Sequence, residues 1–401
     1  MRGPVAVLLT AVVAIGSLSI DMALPSLPAT AQALGAQPAT VQLTVTLFLA
    51  GFALAQLVHG PLSDRFGRRR VLLGGLAVYV VGGLACWAAP SAGLLVTARV
   101  LQALGAGSGP VVGRAVVRDL YEPAGAARVL GYMGTAMALT PILAPIIGGF
   151  VHVAFGWRAV YLALAGCGAI FLSVAALLVP ETNRRRDRDA LRPGHLATNA
   201  ADLLGDRSFL GYVLVVALMF GGQFAFISGS SFVLIEVLAV PPDVYGLCFG
   251  LVAFGIMTGS FLAARLTPRA GIDRLIAAGT GVGALAGCLM VALAWGGVWT
   301  VAAVIGPMYG FSVGVGIVLP TAVAGAIGPF PRTAGLASAV LGFLQLTAAA
   351  AYGIVVGRLY DRTPVPMAVA IAAAGLAAAV AHRLIRVRRP GSERASDRGR
   401  H

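Results

Sequence analysis

Two charged residues stand inside stretches that are otherwise apolar: Asp21 in SLSIDMALPSLP and Arg99 in TARVLQALGAGSG. In a hydrocarbon setting such groups are costly, and they persist chiefly where they relay protons, bind a substrate or pair with one another. Asp21 falls about four residues short of the outer end of the first apolar run, and Arg99 about six residues into the fourth from its outer end. At a rise of about 1.5 Å per residue the two are expected at comparable depth, where converging faces would make them a buried pair. Burial favours the neutral acid, whereas a neighbouring guanidinium favours the carboxylate. Substrate that shields or displaces the arginine would then let Asp21 take up a proton, and its departure would release it.

Three further stretches carry candidate residues. The turn HGPLSDRFGRRRVLLG, residues 59–74, places Gly60, Asp64, Arg65, Gly67, Arg68 and Arg69 between two apolar runs. Gly60 would permit close helix packing and Gly67 a turn with positive φ. Asp64 is expected to face Arg118 or the positive N-terminal end of the eleventh helix near Arg332, a contact possible only with the inner side closed. In the fifth run, GTAMALTPILAPIIGG, residues Gly134, Pro141, Pro145, Gly148 and Gly149 would interrupt the helical ladder and let backbones approach. The seventh run offers an aromatic wall with hydrogen-bonding groups, Gln223, Phe224, Phe226, Ser228 and Phe232, suited to large apolar ligands. Helix kinking, topology anchoring and plain packing are the competing readings of these three stretches. Glu236 is expected at the outer interface.

The elements that must position these residues follow from composition. Apolar residues make up 58% of the chain and charged ones 11%, against about 45–50% and 25% in soluble domains, and the mean hydropathy is +0.89. A membrane span needs about 20 apolar residues. Twelve such runs are present, at about 5–25, 40–60, 71–90, 93–117, 127–152, 158–180, 209–238, 244–266, 274–295, 299–323, 333–356 and 365–387. They lack the alternation of a membrane barrel, so the class is all-α integral membrane.

The net charge of +14 would point to nucleic acid in a soluble chain, but its placement points to lipid. All 29 basic residues are arginine, and 25 fall on one side if the N-terminus is cytoplasmic. Both termini are therefore expected in the cytoplasm, with anionic headgroups as partners of the basic loops and no nucleic acid. A cleaved signal peptide over residues 1–16 would leave eleven spans and discard the helix of Asp21, so these residues are read as part of the first span. Cys86, Cys167, Cys248 and Cys288 lie in apolar runs without paired spacing and are read as small core residues. The five histidines form no ligand cluster, and no nucleophilic triad or phosphate loop is found. A transporter is expected rather than an enzyme, without metal or cofactor, working as a monomer; a membrane enzyme or receptor would need a polar catalytic cluster.

The chain divides into residues 1–180, a polar cytoplasmic linker at 181–208, residues 209–387 and a tail at 388–401 expected to be disordered. LSDRFGRRRVL at 62–72 aligns without a gap with LTPRAGIDRLI at 266–276, an offset of 204 residues. Two parallel six-helix halves with substrate between them near the midplane is the plan this repeat implies. Pro268 replaces Asp64 in the second copy, so the second turn lacks whatever the first carboxylate does.

The turn at 60–69 resembles the loop signature of major facilitator superfamily transporters. The SIDMALPSLP run, VQLTVTLFLAGFALAQLVHGPLSDRFGRR, AVVRDLY at 115–121 and TPILAPIIGG at 140–149 resemble its bicyclomycin and chloramphenicol resistance (Bcr/CflA) branch of bacterial drug exporters, with a further match at 224–236. The fifth run resembles the antiporter signature G-x-x-x-G-P-x-x-G-G, although Ala144 stands where a glycine precedes Pro145. The resemblance implies that Asp21 binds drug and proton, that Arg99 is the helix 4 arginine, and that Asp64 and Arg65 belong to a gating turn. It also implies proton-driven efflux of small lipophilic compounds across the bacterial inner membrane, with protons as the coupling ion. Uptake of a sugar or organic acid by a symporter or facilitator is the alternative that shares the fold.

Overall fold

The computed structural model describes residues 2–183, 203–330 and 333–387. Most of the linker, Arg332 and the 388–401 tail lie outside them. Twelve helices long and apolar enough to cross a membrane are present among the described residues. They are α1 Gly3–Ala33, α2 Pro38–Phe66, α3 Arg68–Ala88, α4 Ala92–Leu120, α5 Pro123–Phe155, α6 Trp157–Leu178, α7 Arg207–Val237, α8 Pro242–Ala270, α9 Ile272–Trp295, α10 Val301–Ile327, α11 Leu336–Leu359 and α12 Val365–Leu384. The end of the bundle that carries the 64–70 turn is called inner below, and the opposite end outer. Several helices extend past the apolar runs because capped and polar turns continue them beyond the hydrocarbon.

Local chemistry explains where the helices begin and stop, and it recurs every three helices. Helices α2, α5 and α8 open with proline in the first turn, where its missing N–H leaves no bond unmade. Their far ends stop at Gly67, Gly156 and Gly271, with φ of 104°, 84° and 74°, and a new helix starts at once. Helices α4, α7 and α10 begin behind Ser91, Asp206 and Thr300, whose side-chain oxygens accept from the backbone N–H three residues on. The matched glycines of the two aligned turns thus share one backbone geometry, as expected for parallel halves built from smaller repeats.

Three helices are interrupted, α4 only by a single turn at Gly107 between Ala106 and Ser108. In α1 the helical segment Ile15–Asp21 gives way to a 3₁₀ turn at Leu24–Ser26, with Pro25 and Pro28 entering the next segments. The span nonetheless continues to Ala33, twelve residues past Asp21, so the acid lies near the middle of its helix and not close to its outer end. Prolines in first turns let the chain resume helix after a single tight turn, which a window of hydropathy does not register. In α7 the outer end, Phe232–Val237, widens into a π-helix.

The halves meet along two seams, α5 against α8 and α2 against α11, and the core of buried side chains runs across both. Large apolar residues on the outside of the bundle, such as Phe155, Leu177 and Leu285, are exposed as lipid contact requires. Of the cysteines, all free, only Cys86 is buried; Cys288 is exposed, so its position is a lipid-facing one and not core.

Candidate functional site

Arg99 is fully buried, and its guanidinium is spent on neighbours within the first half. It donates to the Ser19 carbonyl at 3.0 Å, the Thr44 carbonyl at 3.2 Å and Gln102 Oε1 at 2.7 Å. It also lies 4.1 Å from the centroid of the Phe48 ring and 5.7 Å from that of Tyr161. The Ser19 carbonyl is available because α1 breaks there: the Ala23 N–H bonds back to Ile20, one residue short of the normal helical acceptor. Arg99 therefore caps the break in α1 and pins α1, α2 and α4 together. The Ser19 hydroxyl joins this cluster through Tyr79, at 2.7 Å.

Asp21 follows Ser19 by two residues, roughly 200° around the helix at 3.6 residues per turn, so the two face opposite ways. The carboxylate is 5% exposed and forms no ion pair among the described residues. The expected Asp21–Arg99 pair is thus not made, because Arg99 points to the Ser19 side of the helix. The 3₁₀ turn that follows Asp21 packs against α7 and α8 of the second half, so the acid sits beside the junction of the halves. Tyr245 of α8 is held by Ser230 of α7 at 2.9 Å.

Helix α5 runs unbroken past Pro141 and Pro145. Its outer glycines make the expected close approaches: a Cβ on Gly148 would strike the backbone of Met22 in α1, and one on Gly149 that of Pro242 and Asp243 in α8. Gly246 of α8 returns the fit against Pro145 and Ile146. Residues flanking Asp21 are thus clasped between α5 and α8 on the outer side. Gly134 does not take part, since open space surrounds it, as it does Gly131 and, in α11, Gly342.

In the inner turn, Arg68 is the hub. It pairs with Asp64 at 2.6 Å and Asp119 at 3.4 Å, donates to Ser63 Oγ at 2.5 Å, and its N–H meets Glu181 Oε1 at 2.9 Å. Arg69 binds the carbonyls of Val179 and Ala176 at the end of α6, and Asn183 donates to the Asp64 carbonyl at 2.8 Å. All these partners belong to the first half or, for Glu181 and Asn183, to the start of the linker that follows it. Asp64 does not meet Arg118, which is exposed and forms no ion pair among the described residues; Arg68, four residues on across the Gly67 turn, satisfies the carboxylate locally. Arg65 lies over the ring of its neighbour Phe66. Gly67 has the expected positive φ, and the Glu181 carboxylate occupies the space a Cβ would need. Gly60 is no close-packing point, its nearest neighbour being a Val111 methyl 3.8 Å from a built Cβ. Asp119, Glu181 and Asn183 were not singled out in the sequence; the PETN run at 180–183, which opens the linker, was the available signal for the last two.

The candidate residues of α7, Gln223, Phe224, Phe226, Ser228 and Phe232, are buried in the packing of the bundle. Gln223 accepts from Ser312 of α10 at 2.9 Å, Phe226 stacks on Phe249 of α8 at 5.8 Å, and Phe232 packs on Tyr360. Phe224 alone reaches the α2–α11 seam, beside Gly353. Glu236 accepts from Tyr360 at 3.4 Å on the wall of a 780 Å³ outer cleft, as expected of an interfacial acid. No group of three or more metal-binding side chains occurs among the described residues.

Twelve helices in two related halves, meeting along seams with a buried acid at the junction, define a membrane carrier. The profile of the Major Facilitator Superfamily matches residues 9–351, and the chain belongs to that family. It is 34% identical over 331 residues to the chloramphenicol resistance protein of Pseudomonas aeruginosa, covering 81% of this chain and 77% of that one. It is 32% identical to multidrug resistance protein D of Escherichia coli over 339 residues, 84% of each chain. Identity to the bicyclomycin resistance protein homolog of Haemophilus influenzae is 30% over 351 residues, 87% of each. Among solved structures it resembles the xylose transporter XylE of Escherichia coli, with a TM-score of 0.73 at 15% identity over 97% of this chain and 98% of that one. A bacterial homolog of the lysosomal transporter Spinster gives 0.76 at 15% identity over 96% of each.

Proposed function

We propose that this carrier exports small lipophilic, antibiotic-like compounds across the bacterial inner membrane in exchange for protons, with both termini in the cytoplasm. The observation that carries the reading is the placement of Asp21: a carboxylate buried at mid-helix, without an ion pair among the described residues, just before the turn of α1 that packs against the second half. Such a group has the position to be exposed to one side of the membrane and then the other as the halves rock. The relatives named for chloramphenicol, bicyclomycin and multidrug resistance supply the substrate class and the outward direction.

In the exchange, drug entering from the inner side competes with the proton held by Asp21. The drug-loaded carrier opens outward, and a proton from outside replaces the drug. One proton moving inward down about 100 mV supplies about 2.3 kcal/mol, enough for a gradient of roughly fifty-fold at about 1.4 kcal/mol per decade. Arg99 serves by holding the break that aims Asp21. The Arg68 network stiffens the inner end of the first half, so that it moves as a body.

The test is a panel of antibiotics and dyes on an exporter-deficient bacterium expressing the chain. Raised resistance to some members, lost when the proton gradient is collapsed, is the expected result. Unchanged resistance to every compound, with proton-driven accumulation of a sugar or organic acid in its place, would overturn the reading.

A further inference from the structure

The α2–α11 seam combines a tight steric fit with polar groups that the fold leaves unsatisfied. Gln42 and Thr46, one turn apart on the outer half of α2, face Gly357 and Gly353, one turn apart on α11. A Cβ on Gly353 would come within 2.6 Å of Thr46 Oγ1 and 3.0 Å of Phe224 Cε1, and one on Gly357 within 2.5 Å of Gln42 Oε1. Both glycines thus let a helix of the second half lie directly on polar side chains of the first. Yet Gln42 is 1% exposed and Thr46 fully buried, and among the described residues neither end of the Gln42 amide nor the Thr46 hydroxyl finds a hydrogen-bond partner. Sealing polar groups away from water without partners opposes closure.

Outer solvent is close at hand. Gly357 also lines a 360 Å³ cleft open to the outer side, walled by Gln37 and Ala39 from the first half and by Arg358, Asp361 and Arg362 from the second. One residue therefore separates that cleft from Gln42. Separation of the helices at this point would hydrate first Gln42 and then Thr46, relieving the cost of their burial.

We propose that this seam is an outer gate with a built-in bias: Gly353 and Gly357 allow it to shut, and Gln42 and Thr46 favour its opening. The bias keeps the outward-open form accessible, so that outer opening does not depend on substrate binding alone. The inference rests on alternating access but not on the identity of the substrate or the direction of transport.

The test measures the gate without substrate. Spin labels on Gln37→Cys and Asp361→Cys, in a chain whose four native cysteines are replaced and which still transports, report the distance across the seam. Gln42→Leu with Thr46→Val removes the opposition to closure and should lower the ratio of open to closed populations about five-fold or more. Gly353→Ala and Gly357→Ala wedge the seam and should raise that ratio. Opposite shifts of the two sets support the gate. Unchanged distances in both sets, or shifts of the same sign, would overturn it. Because no drug is present, failure here leaves the export reading to be judged by its own panel.

Discussion

The guanidinium of Arg99 meets the main-chain carbonyl of Ser19, not the carboxylate of Asp21 two residues further along the same helix. The arginine expected as a charge partner is a clamp on the backbone, and the acid has no ion pair among the described residues. Hydrogen bonds to three acceptors from a planar fork also demand arginine in particular.

Arg99→Lys should therefore fail to preserve function although it keeps the charge. Lysine cannot reach the Ser19 and Thr44 carbonyls and Gln102 together, and loss of two such bonds is expected to cost on the order of 3 kcal/mol. Thermal unfolding in detergent should shift downward and transport should fall at least about ten-fold. A lysine variant with normal transport and stability would show that charge alone suffices.

Gly148→Ala should abolish or nearly abolish transport, because the added methyl meets the backbone of Met22, which has no side-chain freedom to yield. Gly134→Ala should be tolerated, since nothing lies within 4 Å of its Cβ position. The check is transport per inserted molecule for both variants. Equal losses would mean that the outer clasp of α1, α5 and α8 is not what these glycines serve.

Arg68→Ala should slow turnover more than Asp64→Asn does. The arginine holds Ser63, Asp64 and Asp119 together, whereas the carboxylate has one ionic partner and is 44% exposed. Drug affinity in detergent should change by no more than about three-fold in either variant, because the network is far from Asp21. A collapse of affinity equal to that of rate would assign the turn to maintaining the site itself.

What was legible in the sequence was what burial and charge write along a chain. Twelve apolar runs, the repeat that matches Gly67 with Gly271, and the presence of Asp21 and Arg99 inside apolar runs could all be read from residue types and spacing, whereas the depth of Asp21 could not, because the run continues as helix past the break to Ala33. What was hidden depended on side-chain direction. Helical phase puts Ser19 and Asp21 on opposite faces, but only the break at Met22–Ala23 frees the carbonyl that captures Arg99. Likewise, Gln223 looked like a cavity group until Ser312 of a distant helix took up its carbonyl. The Gln42–Gly357 contact joins residues more than three hundred positions apart and carries no local signal at all.

The central claim is that drug and proton compete at Asp21. The most direct measurement is the proton count when chloramphenicol, bicyclomycin or another compound active in the resistance panel is added to purified protein in weakly buffered detergent solution. The wild-type chain should release protons with a saturation curve that follows drug binding, and Asp21→Asn should bind drug while releasing none. Release of the same number of protons by Asp21→Asn, at unchanged drug occupancy, would contradict the account.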